Sequence, residues 1–279
     1  METNVIRIGV VQLEVKVGNV LDNLQRAADG VACCAKSGCQ LICLPEAFAT
    51  GLNLPKARQI AEPLPGPPTT WLSALAALHQ VHLVAGVLER AADKVYSAAV
   101  ILAPDGALIG AYRRQHAYSL ERHFLDNGHH CPVFDTDVGR IGLLLGYDIN
   151  FPEAARLLFE QRVEILVCPT QLLQPFRRAV RAMTIARATE NCCCVVLASS
   201  CGANTLANLT YMANSMIARS PVALAPYSFD YTNVSEIIAE AGTTETILIG
   251  DLDLAQLRHE QEENPHYADR LSMTYARSA

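Results

Sequence analysis

The sequence predicts an α/β fold in which mixed β-sheets are covered by helices on their outer faces. Short apolar runs rich in β-branched residues alternate with segments of helical spacing, which is typical of strand–helix–strand units. The turn Pro104-Asp105-Gly106 lies between two apolar runs and predicts an antiparallel hairpin. No Ser/Gly-rich linker divides the 279 residues, so we expect a single domain over 1–279, with a C-terminal arm from about residue 253.

The predicted elements follow from the period of the apolar residues along the chain. Brief apolar runs predict strands at 5–12, 41–44, 81–88, 96–102, 107–112, 133–136, 140–145, 164–168, 193–198, 212–217, 235–239 and 246–252. Apolar residues spaced three and four apart predict helices at 19–35, 71–78, 152–160 and 176–190. The polar residues after Asp253 predict a last helix followed by the arm.

Composition limits the class of protein. The apolar content of 51% is enough for a sizeable core, and the net charge of −6 argues against a nucleic-acid or anionic membrane surface. No apolar run reaches the roughly 18 residues of a membrane span, and the first residues lack the pattern of a signal peptide. Ten cysteines without an export signal predict reduced thiols and a cytoplasmic location. Their spacing does not match a zinc site.

A sharp turn between a buried strand and a helix lies within residues 139–153. An apolar run ends at Leu145, and Pro152 with Glu153 marks the first turn of a helix. Turns of this kind expose nucleophiles or bind anions, but Gly146 at the apex has no side chain. Tyr147 and Asp148 follow it and are candidates to face a pocket, although Asp148 is also suited to fixing the turn.

Several side chains elsewhere are candidates for chemistry. Glu46 follows a buried strand, where α/β folds place their sites, and is suited to be a general base or else an ion-pair partner. Arg114 follows a hairpin strand and can hold an anionic transition state or a substrate carboxylate, unless it belongs to a solvated basic cluster. Glu121 is a further acid or a surface charge. Cys168 ends an apolar strand, where cysteine is usually inert.

These segments resemble, in order and over nearly the whole chain, the motifs of the nitrilase or carbon–nitrogen hydrolase superfamily. The first motif, an apolar strand ending in Leu-Pro-Glu, corresponds to Leu44-Pro45-Glu46. The matching stretches of the other motifs are 112–116, Glu121 with 124–128, 146–153, 187–191 and 251–254.

The resemblance implies a site built for thiol chemistry. In the family a Cys attacks a nitrile or amide carbon, a Glu is the general base, a Lys stabilises the intermediate and a second Glu positions these groups. The resemblance carries the base onto Glu46 and the second carboxylate onto Glu121. The position of the family's Lys is Arg114 in this chain, and a planar guanidinium is not equivalent to a lysine ammonium. The position of the family's Cys is Gly146. Because two positions differ together, we interpret both as natural features of the chain.

The resemblance also implies an architecture and an assembly. The family fold is a four-layer αββα sandwich, which pairs into an αββα–αββα homodimer through the helix at 152–160 and the C-terminal arm. A higher homo-oligomer remains open. The resemblance implies no metal and no organic cofactor.

Three functional hypotheses remain open. Loss of a nucleophile typically costs several powers of ten in rate. We therefore favour a pseudoenzyme whose pocket binds a small amide, nitrile or carboxylate ligand without Cys-based hydrolysis. The first alternative is altered, non-covalent chemistry with Glu46 as base and Arg114 as oxyanion or carboxylate holder. The second is ordinary hydrolysis rescued by another thiol such as Cys168.

The ligand contacts expected under the favoured hypothesis combine the charged residues with the pocket loops. We expect the loops at 48–65, 171–178 and 199–211 to set which ligand is bound. The proposed contacts are Glu46, Arg114, Glu121, Tyr147, Asp148 and Gln171, beside the vacated nucleophile position at Gly146.

Overall fold

Two six-stranded β-sheets form the centre of the molecule. The structure is a computed structural model that describes residues 4–220, 237–263 and 269. Within these residues the strands, in chain order, are β1 (Val5–Gln12), β2 (Leu41–Cys43), β3 (His82–Ala91), β4 (Lys94–Leu102), β5 (Leu108–Arg113), β6 (Val133–Thr136), β7 (Gly139–Leu143), β8 (Ile165–Thr170), β9 (Cys194–Ser199), β10 (Ala203–Asn204), β11 (Leu209–Thr210), β12 (Met216–Arg219), β13 (Ile237–Glu240) and β14 (Thr246–Asp253).

Both large sheets are mixed, as the sequence predicts. The first has the order β14-β1-β2-β3-β4-β5, with β1, β2 and β3 parallel and the remaining pairs antiparallel. The second has the order β13-β12-β9-β8-β7-β6, with β7, β8 and β9 parallel. The Asp-Gly turn joins β4 to β5 as a hairpin. A short hairpin of β10 and β11 lies apart from both sheets.

Helices cover the outer faces of the sheets. The helices are α1 (Val20–Lys36), α2 (Ala57–Ile60), α3 (Pro67–His79), α4 (Pro152–Glu160), α5 (Arg177–Glu190) and α6 (Leu254–Glu263). Side chains of α1 and α3 pack in one apolar cluster with the first sheet. Side chains of α4 and α5 belong to the cluster that contains the second sheet and the space between the sheets.

Alternate side chains along the buried strands pack in different apolar clusters, which shows what each face of a strand contacts. In β2, Leu41 and Cys43 pack in the cluster between the sheets, whereas Ile42 packs under α1 and α3. In β3, Val84 faces the other sheet, while Leu83 faces the helices. Because side chains of a strand point alternately to opposite faces, each strand contributes to two apolar layers. The result is the four-layer αββα arrangement that the resemblance implied.

Two elements start four residues away from their predicted first residue for reasons of local geometry. Helix α3 begins at Pro67 instead of residue 71, because proline suits the first helical position and Thr69 Oγ1 accepts a 2.7 Å hydrogen bond from the Gly66 N–H. Strand β12 begins at Met216 instead of residue 212, because Ala213 and Asn214 have φ of 56° and 51°, which no strand tolerates.

The polar connections contain more structure than the sequence predicted. The loop between β2 and α3 includes a 3₁₀ turn at Leu54–Lys56 and the short helix α2. Further 3₁₀ turns lie at Ser119–His123 and Gly146–Asn150. The predicted arm after α6, apart from residue 269, and residues 235–236 of the predicted strand lie outside the described residues. Within the described part of the chain, no helix is long and apolar enough to cross a membrane.

Candidate functional site

The predicted charged residues meet where strands of both sheets end. Glu46 lies three residues beyond β2 of the first sheet, and Arg114 directly follows β5 of that sheet. Gly146 and Gln171 follow β7 and β8 of the second sheet. Since β2, β7 and β8 are parallel strands of their sheets, these residues occupy the carboxyl ends at which α/β folds carry their sites.

Glu46 is a buried carboxylate that three donors hold. Ser97 Oγ donates to its Oε1 at 2.6 Å and Arg114 Nη1 at 3.0 Å, while the backbone N–H of Gln171 donates to Oε2 at 3.2 Å. Only 2% of Glu46 is exposed. The carboxylate is therefore fixed in place by contacts from both sheets.

Arg114 bridges the two predicted acids. Its Nη1 donates to Glu46, and its Nη2 donates to Glu121 Oε2 at 2.7 Å. Burial lowers the pKa of the guanidinium, but the charges of Glu46 and Glu121 outweigh burial and raise the pKa above its ordinary value. The side chain is thus a permanent cation that the two carboxylates share.

Glu46, Arg114 and Glu121 form a triad, of which Glu121 is the most exposed member. It lies in the 3₁₀ turn at Ser119–His123, where its Oε2 also accepts the N–H of Tyr118 at 2.7 Å. Burial raises the pKa of Glu121, Arg114 lowers it and Glu46 raises it, with a net pKa above the ordinary value of a glutamate. The three predicted residues are therefore in one hydrogen-bonded chain.

The carboxylate of Glu46 lies beside Gly146, the position at which the sequence predicts a vacated nucleophile. Gly146 has a φ of +51°, the left-handed conformation that glycine adopts without strain. A Cβ atom placed there would lie 2.6 Å from Glu46 Oε2 and 3.4 Å from Arg114 Nη1. The first of these distances is too short for a non-bonded contact, so a side chain at residue 146 would require the carboxylate to move.

Gly86 of β3 allows Glu46 to approach the first sheet. A Cβ at Gly86 would lie 2.4 Å from Glu46 Cα, so only glycine fits while the backbone of Glu46 keeps its place. Its N–H donates to Pro45 O at 3.1 Å and fixes the chain just before the acid. The position of Glu46 therefore depends on a residue far away in the sequence.

Asp148 lies behind the site and fixes the turn. It is fully buried, and its carboxylate accepts from Tyr112 Oη at 2.6 Å and from the backbone N–H of His116 at 3.0 Å. The His116 ring nitrogen Nδ1 lies 2.7 Å from the same carboxylate. A cavity adjoins the site, and Asp148 is not among the residues that line it. Of its two predicted roles, the geometry fits the fixing of the turn, because the carboxylate contacts are made to the end of β5 and the segment after it.

A cavity of about 750 Å³ opens beside the triad. Glu121, Tyr147 and Gln171 lie in its wall, whereas Glu46, Arg114 and Gly146 do not. All three loops predicted to line the pocket contribute, among them Leu54, Phe176 and Leu206. Most of the wall is apolar. This size and lining are typical of a site for a small organic molecule.

Gln171 joins the cavity to the triad. Its Nε2 donates to the backbone oxygen of Glu46 at 2.6 Å, so its carboxamide orientation is fixed. The carboxamide oxygen Oε1 is buried and accepts no hydrogen bond from the described residues. A buried acceptor without a partner is costly, which makes Oε1 a candidate contact for a ligand donor.

Cys168 does not have the environment of a nucleophile. It is fully buried in β8 and is not part of the cavity wall. Burial raises the pKa of its thiol well above the ordinary value, and the charges of Asp148 and Glu46 raise it further. A neutral thiol in this setting is inert.

Sequence reasoning missed two parts of the site. Ser97 was not a candidate, although a serine within the apolar run of β4 is the only signal it leaves. Tyr118 was also missed, and its ring lies 4.9 Å from that of Tyr147 and 6.0 Å from that of Phe176. All three rings line the cavity. Within the described ranges, no group of three or more His, Cys, Asp or Glu side chains is arranged to hold a metal.

The structure is thus an αββα protein with an acid–guanidinium–acid chain at the carboxyl ends of its parallel strands. A family model described as carbon-nitrogen hydrolase matches residues 7–259. The chain therefore belongs to the carbon–nitrogen hydrolase family.

Individual relatives agree with this membership over nearly their full lengths. A protein named nitrilase from Pyrococcus abyssi is 31% identical over 98% of this chain and 100% of its own. The human omega-amidase NIT2 is 26% identical over 97% of this chain and 96% of its own. The crystal structure of Saccharomyces cerevisiae Nit3, a nitrilase-superfamily member, superposes with a TM-score of 0.82 at 25% identity and covers 94% of each chain.

Proposed function

We propose that this chain binds a small organic molecule in the cavity beside Glu121 and does not hydrolyse it through a cysteine. The observation that carries the proposal is the contact at the vacated position. Glu46 Oε2 lies 2.6 Å from where a Cβ of residue 146 would be, so any side chain at that position would have to displace the carboxylate. Covalent catalysis through a cysteine requires a reactive thiol at that place, and the nearby described thiol, Cys168, is fully buried with a raised pKa.

The state of Glu46 supports the proposal. A general base must reach the proton that it removes. Here Ser97, Arg114 and the Gln171 N–H already hold the carboxylate, and Glu46 is not in the cavity wall. We therefore assign the buried ion pair of Glu46 and Arg114 a structural role next to the ligand cavity.

The names of the relatives favour a second candidate function, which is turnover by altered chemistry. Relatives of this chain are named nitrilase and omega-amidase. In that case Glu46 activates water and Arg114 stabilises the oxyanion, without a covalent intermediate. This candidate requires Glu46 to leave its present contacts when substrate is bound.

The test measures binding and turnover on the same sample. We would titrate the chain with hexanamide by calorimetry, follow ammonia release by a coupled assay and record the intact mass for an acyl adduct. We expect binding with neither ammonia nor adduct. Ammonia release without an adduct would replace the proposal by altered chemistry, and an adduct would restore thiol catalysis.

Restoring the family residues tests the geometry of the site. We expect Gly146→Cys alone to release no ammonia, because its Cβ meets the Glu46 carboxylate. Adding Arg114→Lys removes the guanidinium that holds this carboxylate. We expect weak turnover of hexanamide from the double variant. Gly242→Cys is the matched control, since a Cβ there meets no atom within 4 Å. Equal turnover from the single and the double variant would contradict the role given to the contact.

A further inference from the structure

The wall of the cavity is apolar and carries acceptors without matching cations. Of the described residues that line it, none is Lys, Arg or His, and the one ionisable acid is Glu121. A ligand carboxylate would have to leave water without a cationic partner in this wall, which is costly. The cavity therefore disfavours acids, the third ligand class expected from the sequence.

Two oxygen atoms of the cavity wall, on Gln171 and Glu121, can accept further hydrogen bonds. Gln171 Oε1 has no donor among the described residues, and Gln171 is only 6% exposed. Glu121 Oε1 has only a 3.5 Å contact with Arg114 Nη1, whereas its Oε2 has two contacts at 2.7 Å. Both residues lie in the cavity wall. A bound head group that donates several hydrogen bonds would satisfy both oxygens.

The charge of the triad selects among such donors. Glu46 and Glu121 bring two carboxylates, and Arg114 brings one guanidinium between them. One negative charge remains uncompensated when both acids are ionised, and uncompensated buried charge is strongly unfavourable. A neutral amide leaves that charge in place, while a cationic head group cancels it.

Aromatic rings surround the same end of the cavity. Tyr118 is bound through its N–H to Glu121, and its ring packs against Tyr147 and Phe176. Ring faces attract cations, and clusters of aromatic side chains recognise ammonium groups in other proteins. The rings and the carboxylate thus favour the same sign of charge.

We propose that the cavity binds a primary alkylammonium ion, with its tail along the leucines and its head group at Glu121 and Gln171. This inference rests on the proposed function, because it assigns the ligand of a site that binds without turnover. It replaces the amide, nitrile and carboxylate classes expected from the sequence by an amine.

The experiment compares three ligands that share one apolar tail. Hexylamine, hexanamide and hexanoate are titrated into the full chain by calorimetry at neutral pH. We expect hexylamine to bind at least about tenfold more tightly than hexanamide, because hydrogen bonds between ionised groups are roughly twice as strong as neutral ones. Hexanoate should bind more weakly than either.

A substitution of the carboxylate locates the head group. Glu121→Gln keeps the shape of the side chain and removes its charge, so in this variant hexylamine should lose its tenfold advantage over hexanamide. Glu153→Gln, on the exposed face of α4, is the matched control and should change neither affinity.

A measurement on the unaltered chain keeps the proposal testable if Glu121→Gln fails to fold. Burial raises the pKa of Glu121, and the groups that face it are Arg114, Glu46 and the Tyr118 N–H. An alkylammonium stays charged far above neutral pH, as lysine does with its pKa of about 10.4. Hexylamine affinity should therefore fall as the pH drops through the pKa of Glu121, whereas hexanamide affinity should stay constant.

The outcomes separate this inference from the function on which it rests. Hexanamide or hexanoate binding as tightly as hexylamine would overturn the ammonium assignment and leave binding without turnover intact. Absence of binding by all three ligands would also overturn the assignment. Ammonia release from hexanamide would instead contradict the proposed function, whatever the order of affinities.

Discussion

At the scale of single residues, Glu46 and Gly146 share one small volume. The carboxylate of Glu46 lies where the side chain of residue 146 would begin. Arg114 and Gly146, the two positions at which the sequence predicts a departure from the family motifs, thus meet around one acid. Sequence alone singled out Glu46 and Gly146 as candidate site positions, but the contact between them depends on distances that no motif encodes.

The nearby thiol of Cys168 provides a prediction at this scale. We expect it to resist iodoacetamide in the native chain, because burial raises its pKa and removes it from solvent. Cys33 is exposed and should be alkylated under the same conditions, which provides an internal control. Peptide mass mapping after a timed reaction is the measurement. Rapid labelling of Cys168 in the folded chain would revive the hypothesis of a rescuing thiol.

The site residues differ in how far sequence predicted their placement. Glu46, Arg114 and Glu121 were predicted from motifs, and the structure brings them into one hydrogen-bonded chain. Ser97 was not predicted, because a hydroxyl in a strand is as common in a surface position as in a buried one. Its 2.6 Å bond to Glu46 joins residues that are 51 positions apart, and such a pairing follows from sheet order alone.

At the scale of elements, β3 and the end of β2 must lie unusually close. Gly86→Ala would place a methyl group 2.4 Å from Glu46 Cα. We expect this variant to lose about 1–3 kcal/mol in its free energy of unfolding, the usual cost of overpacking. Gly242→Ala has no atom within 4 Å of its added Cβ and should change the value by less than about 0.5 kcal/mol. Urea unfolding measures both. Equal stabilities would show that the strands separate without cost.

Element boundaries were predicted well where apolar periodicity is strong and poorly where backbone geometry decides. Strand β1 and helix α4 have the predicted bounds. The late start of β12 depends on the positive φ of Ala213 and Asn214, and alanine gives no signal for that conformation. The short helix α2 lies in a segment rich in Pro, Gly and Asn, where local preference alone favours a loop.

At the scale of the whole molecule, assembly remains a prediction. The family resemblance implies a homodimer, and Leu157 on α4 is 47% exposed, as expected of a surface that a second copy covers. We expect light scattering at micromolar concentration to give twice the mass of one chain. Leu157→Glu should shift the mass toward one chain. Leu78→Glu, at an exposed leucine of α3, should not. A single-chain mass for the unaltered protein would contradict this assembly.

The close approach of Glu46 to Gly146 has a consequence for how the site can evolve. A single mutation to cysteine at residue 146 would place its Cβ against the Glu46 carboxylate, so the new side chain and the acid would compete for the same volume. Because Arg114 holds that carboxylate through a 3.0 Å hydrogen bond, the order in which residues 114 and 146 change would matter for any gain of thiol chemistry.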